Sequence, residues 1–458
     1  MAELYAQKEK FISELSRLIA IDSTRTEKKP GAPFGEGAAR VLAEAIKISA
    51  ENGFPMKNEE GYAGEISFGK KPELMLLAHL DVVAAGDGWT HEPFRLTREG
   101  DILYGRGCTD DKGAALCLIY ALKTARRLFG EPETGVKIVL GCAEETGSED
   151  MEYYFSKHEK LKYTLSPDAD YPLINIEKGK FAPEFEAVAD GGTAGRGIIE
   201  INGGSVKNVV PGKADALLTG FSEQELSDSA LAADTGARFY CKKKECGVRL
   251  YCEGKSSHAA NPQKGCNAQT ALLSVLARLP LDSSALKARL SGLCALFPHG
   301  ETNGYSAGVE MSDEKSGALT LNFGVLSFSE NRLSGALDLR VPLSADEKNL
   351  CAVLENRLSE QGFAICGGRR FTAAHKTDES SALVQTALEV YRRYTGQKAE
   401  CLAIGGGTYV HGIEGGAAFG IEFPGCDYHI HGADEFAKAD ELLLTAAMYT
   451  QIIKDLCY

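Results

Sequence analysis

Two short apolar runs, ELMLLAHLD at residues 73–81 and VKIVLGCAEE at 136–145, flank an amphipathic stretch, TDDKGAALCLIYALKTARRLFG, at 109–130. Apolar runs this short that end in polar residues predict buried strands, and the longer periodic stretch predicts a helix that Gly130 closes. A third run, YTLSPDADYPLI at 163–174, repeats the strand pattern. Strands alternating with helices predict an α/β layer, in which ligands bind outside the carboxyl ends of the strands. Those ends carry His79, the pair Glu144 and Glu145, and Asp168, while Asp110 lies in the loop that opens the helix.

The flanking sequence extends this layer. FGEGAARVLAEAIKISAENGF predicts a helix stopped by Gly53, and SSALVQTALEVYRRYTGQ predicts another after about residue 380, with a last helix from about Asp434. From about Phe181 the texture changes, with Gly-rich turns (DGGTAGRG, NGGS) between short alternating stretches such as RLYCEG and GALDLRVPL. This predicts a separate α+β insertion, with NAQTALLSVLARL as one of its helices. Since 458 residues exceed what one hydrophobic core organises, the expected organisation is an α/β domain built from 1–182 and 383–458, interrupted by an inserted domain at 183–382.

Charge and composition narrow the partners. A net charge of -14 repels polyanions, and CKKKEC at 241–246, the only compact cationic run, reads as a solvated loop or strand edge, so nucleic acid is not an expected partner. No apolar run approaches the roughly 20 residues of a membrane helix. The N-terminal segment spaces Leu4, Phe11, Leu15, Leu18 and Ile19 like a helix and intersperses charges, unlike a signal peptide. The 13 cysteines are odd in number and lack Cys-x-x-Cys pairs, which predicts reduced thiols in a cytoplasmic protein.

Several residues carry chemistry. His79 and Asp81 stand two apart, so in extended backbone both side chains share a face, and Asp81 is placed to support a metal-ligating His79. Asp110 and Asp111 at a helix start are more than one N-cap requires, and a carboxylate's two oxygens can bridge two metal ions. At the strand end, Glu145 can ligate a metal while Glu144 stays free as a base. Asp168 and Asp170 in SPDAD, and His429 and His431 in DYHIHGADE, complete the donors, and spacing alone does not choose between the histidines. Histidines mixed with carboxylates, without a cysteine motif, favour zinc, with manganese or cobalt as alternatives, over calcium.

In order and rough spacing, HLDVV…GDGW, LYGRGCTDDKG, AEETGSED, SPDAD and HGADE resemble the dinuclear metallopeptidases related to aminoacylase and carnosinase. With FGEG, EKG and IGGGTY added, the chain resembles most the bacterial dipeptidases of the peptidase V type. The resemblance implies a mixed-sheet, zinc-exopeptidase-like catalytic domain and a large α+β lid that imitates a dimer within one monomer. A monomer is favoured, with a homodimer as the alternative. It also implies that His79 and Asp168 hold one of two divalent ions, Glu145 and His431 the other, and that Asp110 bridges them. Glu144 is the implied general base, with Asp81 supporting the site. His258 in GKSSHAANPQKGCNA would stabilise the oxyanion; Asn208 in KNVVPG, Arg340 in DLRVP and Gly406 in IGGGT would contact substrate. Ala84 stands where related sequences often have proline, which alters loop stiffness and leaves the chemical groups intact. The expected activity is hydrolysis of a small peptide, a dipeptide above all. N-acyl-amino-acid deacylation, carboxypeptidase activity and catalytically silent metal or peptide binding are the alternatives.

Overall fold

The computed structural model describes residues 1–192, 194–367 and 371–458. Thr193, in the Gly-rich DGGTAGRG turn, lies outside them. The chain forms two compact units, one of residues 1–176, 375–402 and 407–458, the other of residues 177–374 and 403–406.

In the first unit, Leu74–His79 is flanked by Val136–Gly141 and Tyr163–Ser166, both parallel to it, and Gly416–Ala418 pairs parallel to Tyr163–Ser166. Ala63–Phe68 and Lys57–Glu59 continue the sheet antiparallel. All six residues of Leu74–His79 are buried. Its alternate side chains serve two layers: Leu74, Leu76 and Ala78 join the core formed with helices Lys8–Ile19, Glu36–Glu51, Lys112–Phe129, Ala382–Thr395 and Ala439–Cys457, while Met75 and Leu77 pack with Met151, Tyr154 and Tyr409. Burial on both faces is why this strand reads as an unbroken apolar run. The parallel strands deliver their carboxyl ends to one edge, and the chemically active residues follow from there.

Two expectations about helices are revised. The N-terminal segment breaks into Ala2–Tyr5 and Lys8–Ile19. The last helix begins at Ala439, since Phe436–Lys438 first pairs as a strand with Ile102–Tyr104. That partner lies more than 300 residues away in the chain, so helical periodicity could not reveal it. Lys112, fully buried, donates to the carbonyls of Leu18 and Ile21 at 3.1 and 2.7 Å and so completes the end of the Lys8–Ile19 helix. Loss of hydration lowers its pKa to about 8.

The second unit is an antiparallel sheet in the order Arg238–Lys244, Gly247–Glu253, Lys213–Thr219, Gly197–Gly203, Thr320–Ser329, Arg332–Val341, Glu184–Val188, Ala364–Cys366. Its buried face packs with helices Glu223–Ala233, Ala268–Leu276, Ser284–Leu296 and Ala352–Glu360. The lysines of CKKKEC lie on the edge strand Arg238–Lys244, where exposed charge discourages pairing with another sheet. No helix among the described residues is long and apolar enough to cross a membrane.

Candidate metal centre and substrate residues

Asp110 lies between two histidines. Its Oδ1 is 2.9 Å from His79 Nε2, and its Oδ2 is 2.9 Å from His431 Nε2. Asp168 Oδ2 is 3.8 Å from the same His79 nitrogen, and Glu145 Oε1 is 2.8 Å from that of His431. The donors therefore form two triads, His79–Asp110–Asp168 and Asp110–Glu145–His431, each with one ligand atom per residue within 4.8 Å of the others. Asp110 belongs to both, one oxygen to each.

The chemistry of these donors fits divalent cations. His79 Nδ1 is 3.0 Å from the Asp81 backbone carbonyl, an acceptor, so the ring donates there and its Nε2 carries the lone pair. That buried Nε2 makes no directed hydrogen bond, although two carboxylates surround it. Lone pairs aimed at one another repel unless a positive charge lies between them. Burial opposes charge on both histidines, yet neighbouring carboxylates outweigh it: Asp110 and Asp81 raise the pKa of His79, and Asp110 and Glu145 raise that of His431 to about 11. Burial, then the nearby Asp110 charge, raises Asp168 to about 7 and also raises Glu145. The cluster is short of positive charge, which a proton or a metal ion can supply.

Carboxylates behind the ligands hold the backbone. Asp81, 1% exposed, accepts the N–H groups of Glu144 and Glu145, each at 3.1 Å. Asp150 Oδ2 accepts those of Cys142 and Ala143 at 2.6 and 2.7 Å, and the Tyr409 hydroxyl also donates to it. Four consecutive N–H groups are thus anchored where the strand turns into the short helical turn Glu144–Thr146. Pinning this turn lets adjacent glutamates face different neighbours. Glu145 faces His431, whereas the Glu144 carboxylate makes no hydrogen bond or ion pair among the described residues. Burial, followed by the Asp168 charge, raises the Glu144 pKa.

The remaining candidates separate clearly. Asp111 is the N-cap residue of Lys112–Phe129, but its side chain caps nothing; Oδ2 accepts the His79 N–H at 3.0 Å. Asp170 is exposed and joins neither triad. His429 packs edge-on against Phe436, its ring 5.7 Å away, so His431 alone of the pair enters the site.

The four proposed substrate residues gather within the second unit. Asn208 O accepts the Ala259 N–H at 2.9 Å, and Val209 forms an isolated antiparallel bridge with His258, which brings Asn208 and His258 onto adjoining segments. The His258 Nδ1 accepts the Ala260 N–H at 3.2 Å. Arg340 donates to the Gly405 carbonyl at 2.9 Å, beside Gly406, and Gly405 packs against Ala260.

Glu435 and Arg106 were not assigned roles from sequence, although both lie in motifs that carry the resemblance. Glu435, 0% exposed, pairs with Arg106 Nη1 at 2.6 Å, and its Oε1 accepts the N–H groups of Gly107, Thr109 and Asp110 at 3.0–3.2 Å. Arg106 also donates to the Gly432 carbonyl, next to His431, at 3.0 Å. The pair ties the Asp110 loop to the His431 loop. Glu435→Ala would strand a buried guanidinium and is expected to cost roughly 3–5 kcal/mol in a denaturant titration. An unfolding midpoint equal to wild type would refute this role for Glu435.

A family model described as peptidase family M20/M25/M40 matches residues 75–455. The YtjP protein of Bacillus subtilis (strain 168) is 32% identical over 468 residues, covering 99% of this chain and 98% of its own. The Beta-Ala-Xaa dipeptidase of Lactobacillus delbrueckii subsp. lactis is 30% identical over 465 residues, covering 98% and 97%. Among solved structures, human carnosine dipeptidase 1 superposes with a TM-score of 0.59 at 16% identity, covering 99% of this chain and 98% of its own.

Proposed function

The chain belongs to peptidase family M20/M25/M40 and is a metal-dependent peptidase, and from that premise we propose how its residues divide the work of hydrolysing dipeptides. The observation that carries the reading is Asp110, whose two oxygens each face a different histidine while Glu144 stays uncommitted beside them.

In this proposal His79 and Asp168 would hold one divalent ion and Glu145 and His431 the other, and Asp110 would offer one oxygen to each. When bound, the ions would supply Lewis acidity for the scissile carbonyl and for the attacking water. Glu144 accepts the proton of the attacking water and passes it to the leaving amine. Asp81 keeps Glu144 and Glu145 in register through their N–H groups. His258 donates to the oxyanion as the carbonyl carbon becomes tetrahedral, and Asn208, Arg340 and Gly406 hold the substrate. The inserted segment acts as a lid, and recognition of both substrate termini restricts the enzyme to short peptides. Zinc is the favoured ion, with manganese or cobalt as alternatives, and the protein acts in the cytoplasm as a monomer.

Chelation followed by re-addition of each metal, read on a panel of dipeptides, tests this directly. We expect activity to vanish with the metal and return with it, and dipeptides to outrun N-acyl amino acids and longer peptides. Faster turnover of N-acyl amino acids would overturn the dipeptidase assignment.

A further inference from the structure

Arg340 and Lys180 sit opposite one another on paired antiparallel strands, in the register Arg340↔Lys180. Directly opposed residues share a face of the sheet, so the two cationic side chains are neighbours. Between them lies one fully buried carboxylate, Asp338, two residues before Arg340 on the same face. Asp338 Oδ1 accepts from Arg340 Nε at 2.6 Å, its Oδ2 accepts from Nη2 at 3.3 Å, and the same Oδ2 lies 3.7 Å from Lys180 Nζ.

Counting donors shows what is left over. A guanidinium has five N–H groups. Asp338 takes one from Nε and one from Nη2, and the Gly405 carbonyl takes one from Nη1. Among the described residues one N–H on each terminal nitrogen remains to donate to a carboxylate. Among the described residues the Lys180 ammonium has as its ion-pair partner only Asp338, at 3.7 Å, a carboxylate that Arg340 already occupies, and its side chain is 47% exposed. Loss of hydration lowers the Lys180 pKa, and the Arg340 charge adds to that. Lys207, the next cation, is neutralised by Glu184 at 2.5 Å. Among the described residues the face therefore holds two cations for one carboxylate, and Arg340 reaches Gly405, which packs against Ala260, two residues after His258.

We propose that Lys180 is a specificity-determining residue, a second cation beside Arg340 that selects peptides with a free terminal carboxylate. Asp338 orients the Arg340 fork, and Lys180 supplies the charge that Asp338 removes from it. This rests on the dipeptidase reading above, because that reading makes a terminal carboxylate part of every substrate.

The experiment compares the metal-loaded wild type with Lys180→Met and Lys180→Arg, on one dipeptide as free acid and as C-terminal amide. Lys180→Met should raise KM for the free acid about tenfold, equivalent to about 1.4 kcal/mol, with little change in kcat. It should also narrow the preference for acid over amide, and Lys180→Arg should restore both. Equal KM values for wild type and Lys180→Met on the free acid would overturn the Lys180 assignment and leave the dipeptidase reading intact. A wild type that hydrolyses neither form would instead overturn the dipeptidase reading, and the subsite with it.

Discussion

Glu144→Gln is expected to lower kcat for dipeptide hydrolysis by about 10³-fold, within the 10²–10⁴ range of general acid–base groups, and to leave the bound metal unchanged. The expectation follows from the division of labour at the Glu144–Thr146 turn. Glu145 is committed to His431, and removing it would disturb an ion. Glu144 belongs to neither triad, so its loss should spare the ions and remove only the proton carrier. Glutamine keeps the shape and the Asp81-anchored N–H, which isolates the effect to the missing base. Metal analysis beside steady-state kinetics reads both halves. Near-normal turnover in Glu144→Gln would take Glu144 out of the mechanism.

Asp110→Ala should act differently, stripping both ions at once and lowering kcat/KM by about 10³-fold or more, beyond the 10–100-fold typical of groups that only support a ligand. No other residue is common to the two triads. Removing Asp168 should weaken one ion and spare the other, so dialysis against submicromolar metal followed by elemental analysis separates the two variants. If Asp110→Ala keeps the wild-type metal content, the shared-carboxylate arrangement is wrong. Glu435→Gln offers a useful contrast, since it preserves an acceptor for the Asp110 N–H and should retain more metal than Glu435→Ala.

Much of this site could be read from local pattern. Short apolar runs ending in His79, Glu144 and Asp168 announced strands whose carboxyl ends face a crevice, and the structure gathers those ends at one edge of the sheet. The pattern was silent where partners lie far apart in the chain. Arg106 and Glu435 are separated by 329 positions, and neither position shows by spacing that it is buried or paired. Asp111 resembled a helix cap because caps are the common use of aspartate there, yet its carboxylate reaches a strand 32 residues earlier. The resemblance implied a substrate contact for Arg340, and spacing gave no sign that more than half of its donors are held by Asp338 and Gly405.

The sequence by itself determined the kinds of element and the stock of donors, because strand and helix periods, and the placing of polar residues where they end, are properties of contiguous residues. Spacing alone did not choose between adjacent or alternating donors, and the resemblance that named Asp110, His431 and Glu144 gave no physical reason; the tertiary structure supplies one, since Asp110 and His431 join the triads, Asp111 turns to the His79 N–H, His429 packs on Phe436, and Glu144 lies outside both triads. Side-chain direction at the end of a strand depends on what anchors the turning backbone. Here the anchors are carboxylates brought from elsewhere in the chain, whose burial, and therefore whose strength, exists only once the chain has folded.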